Sequence, residues 1–293
     1  MTAVSRPIIL ITGAQGQLGP VLREVLQAHG EVRATSRREL DLAQPDSIVE
    51  TVRAMRPHII LNAAAYTAVD RAEEESDAAY AVNARAPGVL ADEAKKLGAL
   101  LVHFSTDYVF DGEARTPYRE DAPTAPLNVY GASKLAGEQA ILATGAPALV
   151  FRTSWVYGAR GANFLLTIRR LAAERDELRI VADQIGVPNW THTLARAVAR
   201  VLASGAQEAG ARAGVYHLVS SGEASWYDFA RAIVGPASST RVVPITTAEF
   251  PRPARRPAYA VLDTAKFQRA FGFGMPHWRD ELDACLRAMT GAQ

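Results

Sequence analysis

The sequence predicts an α/β protein: a doubly wound parallel sheet over residues 1–152 and a smaller mixed lobe over 153–293, some segments of which return to the sheet domain. Three observations carry that prediction. Short runs rich in Ile, Val and Leu alternate with longer segments of helical period, as when crossover helices join parallel strands. A glycine-rich turn stands directly between the first run and the first helical segment. The alternation loosens after Arg152. In order, residues 8–12 read as a buried strand, and Leu18, Val21, Leu22, Val25 and Leu26 recur at helical spacing until Gly30 supplies a stop. Residues 31–35 form the second strand. Pro45 opens a helix carried by Ile48, Val49, Val52 and Met55, and residues 58–62 return as a strand. Residues 73–97 read as one long helix broken near Pro87, 100–105 as a strand, 130–142 as a helix and 148–152 as a strand. Beyond these, helical segments fall near 164–174, 194–202 and 229–234, while 251–257 is too rich in proline for helix or central strand.

Composition narrows the function classes. The 293 residues carry 32 Lys+Arg against 31 Asp+Glu, net charge +1, so there is no general electrostatic footprint for nucleic acid or an anionic membrane. Cys285 is the single cysteine, which excludes an internal disulfide scaffold. Residues 1–7 and the apolar run 8–11 are too short for a signal-peptide core or a membrane span, so the expected location is cytoplasmic.

The turn reads Gly13-Ala14-Gln15-Gly16-Gln17-Leu18-Gly19. Gly13 permits the tight turn, Gly16 lets a pyrophosphate approach the backbone, and Gly19 lets helix and strand pack closely, with the helix N-terminus facing the phosphate charge. No Lys-Ser/Thr ending marks it as an NTPase loop. A Rossmann-type dinucleotide site is therefore expected. At the end of the second strand, where a carboxylate would hold a free ribose 2′-hydroxyl, the chain has Ser36, Arg37 and Arg38, and no carboxylate until Glu39. A hydroxyl and guanidinium groups suit a 2′-phosphate, which favours NADPH, with NADH as the open alternative.

Tyr130 and Lys134 stand at i and i+4, on one helix face. An ammonium beside a phenol is expected to lower its pKa toward the range useful in acid–base work. Thr106 lies where the preceding strand ends, at the crevice of a parallel sheet, and can share a substrate oxygen with Tyr130.

With these residues together the chain resembles a short-chain dehydrogenase/reductase. It resembles most closely the dTDP-4-dehydrorhamnose reductase family within the extended branch: G-A-Q-G-Q-L-G at 13–19, N-A-A-A-Y-T-A-V-D at 62–70, S-T-D-Y-V-F-D-G at 105–112, P-L-N-V-Y-G-A-S-K at 126–134, R-T-S-W-V-Y-G at 152–158 and the stretch 183–188. The resemblance implies reduction of the C4 ketone of dTDP-4-dehydro-L-rhamnose to dTDP-L-rhamnose. It also implies Tyr130 as proton donor, Lys134 tuning Tyr130 and holding the nicotinamide ribose, and Thr106 as the second hydrogen bond to the reacting oxygen. Gly16, Gln17 and Leu18 would meet the pyrophosphate. Asp41, Leu42, Ala63, Ala64, Ala65, Tyr66, Thr67 and Asn83 would line the rest of the cofactor, and Asp107 with Trp155 would border the sugar. Arg252, Arg255 and Arg256 are candidates for the substrate diphosphate. The chain departs from the family pattern at Asn189, where threonine is common after Pro188, and at Ala260, where serine is frequent. No acidic pair suggests a metal site, so no essential metal is expected, and the assembly is expected to be a monomer or homodimer. A reductase of another nucleotide-activated 4-keto-deoxysugar and a non-catalytic NADP-binding regulatory subunit remain as alternatives. A dehydratase is disfavoured because Tyr108, not a second carboxylate, follows Asp107.

Overall fold

The computed structural model describes residues 6–291; residues 1–5, most of the leading segment read for a signal peptide, lie outside them. The elements run β1 (Ile8–Thr12), α1 (Gly19–Leu26), β2 (Glu31–Thr35), α2 (Pro45–Met55), β3 (Ile59–Asn62), α3 (Val69–Ala72), α4 (Ser76–Tyr80), α5 (Ala86–Leu97), β4 (Leu100–Thr106), α6 (Val129–Thr144) and β5 (Ala148–Thr153). There follow β6 (Val156–Tyr157), α7 (Phe164–Glu174), β7 (Glu177–Val181), β8 (Ile185–Gly186), β9 (Asn189–Trp190), α8 (Thr191–Leu202), α9 (Ala206–Gly210) and β10 (Gly214–His217). The chain closes with β11 (Ala224–Ser225), α10 (Trp226–Val234), β12 (Arg241–Ile245), α11 (Ala265–Phe271) and α12 (Trp278–Thr290).

Six strands form one sheet in the order β10-β5-β4-β3-β1-β2, every neighbouring pair parallel. The alternating direction of strand side chains builds a core on each face. Ile9, Ile11, Ile59, Leu61, Val102 and Phe151 pack on one side with α1 and α8, while Leu10, Ile60, Leu101 and Val150 pack on the other with α2 and α5. The chain starts at β1, turns outward to β2, then resumes on the far side with β3. That reversal opens a crevice beyond Thr12 and Asn62, the place where open parallel sheets take ligands. The strand β10, absent from the sequence reading, extends the sheet beyond β5, pairing Val215 with Val150. A further cluster of buried side chains gathers around Phe229, Trp278, Tyr157 and Leu282, with Val109, Phe110 and Tyr118 joining it from the segment after β4.

The expected helix over 73–97 is instead α4, a π-helical turn over Ala81–Arg85, and α5. Pro87 has no N–H with which to reach the carbonyl of Asn83, so the helix widens by a residue just before it. The vacated side of that carbonyl is where α6 crosses: a Cβ on Gly137 would stand 2.0 Å from Asn83 O. The expected helix over 130–142 extends by a residue or two at each end, to Val129–Thr144.

Candidate active site

The glycine turn fits the crevice because side chains cannot. Gly13 has φ +77°, and a Cβ there would lie 2.9 Å from Ala64 N, two residues beyond β3. A Cβ on Gly19 would lie 2.2 Å from Gly13 O. Gly16, by contrast, has only Gly13 O nearby, at 3.3 Å, which leaves its outer side open to a pyrophosphate. Gln15, Arg37, Arg38 and Asp41 line an adjoining cleft of about 620 Å³, across which Arg37 Nε stands 3.5 Å from Asp41 Oδ1. Ser36 differs from the expectation of a hydroxyl open to phosphate: its N–H and its hydroxyl both donate to Glu39 Oε2 at 2.8 Å. These two bonds hold the Glu39 carboxyl below its usual range. A carboxylate therefore does return to the end of β2, from three residues further along.

Residues 63–67 follow β3 along the same crevice. Their path is fixed by Asn83 on the π turn, whose amide accepts from Tyr66 N at 2.8 Å and donates to Tyr66 O and Ser133 Oγ, both at 3.0 Å. Asn83 is buried, and with its oxygen and nitrogen engaged this way it supports the lining loop from behind. Tyr66 in turn donates its hydroxyl to Glu75 at 2.7 Å.

At the next strand end, Thr106 leads into a 3₁₀ turn, Asp107–Val109. The Thr106 hydroxyl accepts from Tyr108 N at 3.1 Å and donates to Asp107 Oδ1 at 2.9 Å. Opposite, α6 starts with Asn128, whose side chain caps Gly131 N at 2.8 Å and donates to Arg255 O at 2.7 Å. Gly131 lets this helix end approach the 3₁₀ turn, since a Cβ there would be 2.2 Å from Tyr108 O. That approach sets Tyr130 edge-on against Tyr108, ring centroids 5.7 Å apart, with its phenol by Thr106. Lys134, one turn on and 2% exposed, donates to Phe104 O at 2.6 Å and meets His103 Nε2 at 3.2 Å.

The electrostatics correct one expectation. Burial pushes the Tyr130 phenol up to about 12, the Thr106 hydrogen bond pulling down and the Asp107 charge pushing further up. The net shift is upward, not the lowering expected from Lys134, whose ammonium is engaged by Phe104 O and His103 of β4. Burial pulls Lys134 down to about 8 and pushes the Asp107 carboxyl up to about 7. At neutral pH Tyr130 is thus a protonated donor. Two buried atoms here have no partner within the protein, Asp107 Oδ2 and Gln17 Oε1, and such atoms suit the polar groups of a ligand.

Beyond β5, whose Thr153 is the register partner of Thr106, the chain turns aromatic. Trp155 has φ +41°, an unusual conformation for a bulky residue. Its indole stacks on Trp226 with centroids 3.5 Å apart and 9° between planes, and it covers Gly186, where a Cβ would come within 2.6 Å of the ring. Asn189, the departure noted above, is buried and donates to Ser154 O at 2.7 Å and Val187 O at 2.8 Å while accepting from Ser220 N at 2.6 Å. Of the three arginine candidates, Arg256 pairs with Asp70 at 2.6 Å and 2.9 Å, whereas Arg252 and Arg255 are exposed. Among the described residues no group of three or more His, Cys, Asp or Glu side chains could hold a metal ion, and no helix is long and apolar enough to cross a membrane.

Residues 7–290 match the family model described as the RmlD substrate binding domain. The chain is 48% identical over 291 residues to the dTDP-4-dehydrorhamnose reductase of Burkholderia thailandensis, covering 95% of this chain and 98% of that one. The chain belongs to the dTDP-4-dehydrorhamnose reductase family. The Escherichia coli K12 member is 42% identical over 282 residues, 92% of this chain and 94% of its own. The Bacillus anthracis member, solved in complex with NADP, superimposes with TM-score 0.91 at 38% identity, covering 97% of this chain and 99% of that chain.

Several residues of the site escaped the sequence reading. His103 looked like one more strand residue, although a histidine in an otherwise apolar run is itself a signal. Glu138, four residues beyond Lys134, pairs with Arg152 of β5 at 2.7 Å, both buried. The Asp70–Arg256 pair and Trp226 meet their partners only through tertiary structure.

Proposed function

We propose that this chain reduces the C4 ketone of dTDP-4-dehydro-L-rhamnose with NADPH, giving dTDP-L-rhamnose. The observation that carries the reading is the meeting of Thr106, Tyr130 and Lys134 at the strand-end crevice beside the glycine turn, in a chain of this family. The cofactor, when bound, supplies the hydride to the carbonyl carbon. Tyr130, protonated at neutral pH, gives its proton to the oxygen as charge develops there, and Thr106 offers that oxygen a second hydrogen bond. Lys134 holds a positive charge beneath the site and offers its remaining N–H to the nicotinamide ribose. Gly16, Gln17 and Leu18 take the pyrophosphate at the N-terminus of α1. Arg37 and Arg38 meet the 2′-phosphate. Trp155 and Asp107 border the sugar, an indole face being suited to a deoxy-sugar ring.

The test is incubation with dTDP-4-dehydro-L-rhamnose and NADPH, following reduced-nicotinamide absorbance and identifying the product by NMR. One NADPH consumed per dTDP-L-rhamnose formed is expected. Cofactor binding without sugar-dependent oxidation would overturn the reading and favour a regulatory subunit.

A further inference from the structure

Three adjacent strands place polar side chains at one level of the sheet. Thr12 is the register partner of Asn62, and Asn62 that of His103. Their side chains form a chain: Thr12 Oγ1 to Asn62 Oδ1 at 2.7 Å, Asn62 Nδ2 to His103 Nδ1 at 3.0 Å, and His103 Nε2 to Lys134 Nζ at 3.2 Å. All four residues are at most 2% exposed. The strands around them are filled with Ile, Leu and Val, and burying such a row is costly unless its bonds are satisfied. One end of the row is the last residue before Gly13. The other is the lysine beneath the proposed reaction site.

We propose that His103 is a positioning residue for Lys134: a neutral imidazole, backed by Asn62 and Thr12, that fixes Nζ at the floor of the site and holds its proton. The groups facing Nζ are His103 and the Phe104 carbonyl from β4, with Tyr130 one turn before it and Glu138 one turn after it on α6. Glu138 is already engaged by Arg152 from β5. Burial, and next the Lys134 charge, keep His103 well below the usual histidine range, so the ring is neutral and carries one N–H. The direction of every bond in the row then follows the charge on Lys134. With Nζ an ammonium, Nε2 accepts and the ring proton is on Nδ1, which requires the Asn62 amide turned over from the orientation described above, its oxygen facing Nδ1 and its NH₂ donating to Thr12. With Nζ a neutral amine, Nε2 donates, Nδ1 accepts from Asn62 Nδ2, and Thr12 donates to Asn62 Oδ1. Loss of the proton from Lys134 therefore reorders three side chains up to the edge of the glycine turn, and the row opposes that loss wherever it favours the accepting Nε2.

The chain has four lysines, Lys95, Lys96, Lys134 and Lys266, so ¹³Cε-labelled lysine gives an assignable NMR titration of Lys134 in the full-length protein. In His103→Leu the buried ammonium loses an acceptor, and its midpoint is expected to fall by about one pH unit, a tenfold change in its ionisation constant. His103→Gln, whose amide oxygen reaches the place of Nε2, should restore the midpoint; the shorter His103→Asn should not. The activity arm rests on the reductase reading: the alkaline limb of kcat should move down with the midpoint in His103→Leu and return in His103→Gln. A Lys134 midpoint unmoved in a folded His103→Leu would overturn the proposal, as would a kcat loss equal at every pH. If His103→Leu does not fold, equal midpoints in the Gln and Asn variants would overturn it instead. The NMR arm needs no turnover, so a shifted midpoint in a protein without reductase activity defeats the functional reading and supports this one.

Discussion

Replacing Tyr130 by phenylalanine removes one oxygen and leaves the ring packed edge-on to Tyr108. The size of the effect follows from what remains. Wild-type Tyr130, with its phenol pushed up to about 12, is protonated throughout the neutral range and supplies both a hydrogen bond and a proton. In the variant the hydroxyl left beside the ring is that of Thr106, which donates to Asp107 Oδ1 at 2.9 Å and must turn away from it to serve the substrate. Loss of a positioned general acid costs about 10²–10⁴ in rate, or about 3–5 kcal/mol of barrier at 1.36 kcal/mol per tenfold. Steady-state kcat with dTDP-4-dehydro-L-rhamnose, and cofactor affinity from fluorescence titration, separate chemistry from binding. We expect kcat to fall by about 10³, with NADPH affinity unchanged within a factor of about two because the ring stays in place. A variant within tenfold of wild type, or one losing as much affinity as turnover, would refute the assignment of the proton to Tyr130.

Three further outcomes are expected. Arg37→Ala combined with Arg38→Ala should raise KM for NADPH by about 10–100-fold, as loss of one or two charge-assisted hydrogen bonds allows, and leave KM for NADH nearly unchanged; equal effects on both would remove the 2′-phosphate site from this cleft. Glu138→Gln leaves Arg152 buried without its counter-charge, at a cost of about 3–5 kcal/mol, which urea unfolding should report; a loss below about 1 kcal/mol would mean that the pair is better solvated than its burial indicates. Burial pushes the Glu281 carboxyl up from 4.5 to about 7, with Ser220 and Trp190 N as its hydrogen-bond donors, so its protonated form is favoured in the fold. Its stabilising contribution is complete below pH 4.5 and lost as pH rises to about 7, about 3 kcal/mol at 1.36 kcal/mol per unit. Glu281→Gln should reduce the slope of unfolding free energy across that window, the Asp107 carboxyl supplying the remainder, and an unchanged slope would exclude Glu281 as a source.

Much of the fold is written locally. The strands β1, β3, β4 and β5 show as largely apolar runs because both faces of the sheet are covered there, unlike the half-polar edge strand β2, and the glycine turn shows because Gly13 and Gly19 occupy places where any Cβ collides with backbone. Tyr130 and Lys134 are legible because four residues make one helical turn. The rest depends on partners distant in sequence. The π turn needs both Pro87, which the sequence displays, and the crossing of Gly137, which it does not. Where Lys134 points is set by the carbonyl of Phe104 and the ring of His103, partners that helical spacing does not show, and burial dominates the shift of Tyr130. Glu39 reaches Ser36 only once the chain turns after β2. The Asp70–Arg256 pair joins the loop after β3 to the proline-rich segment, and neither stretch alone announces it.

The late return of β10 to the sheet has a consequence during synthesis. Until residues 214–217 leave the ribosome, the outer edge of β5 has no strand beside it, and the intervening residues 154–213 must be made first. At about 5–20 residues per second that interval lasts several seconds. A nascent chain released or stalled within it presents an open hydrogen-bonding edge to other polypeptides. Truncations inside 154–213 are therefore expected to aggregate rather than yield an isolated nucleotide-binding fragment.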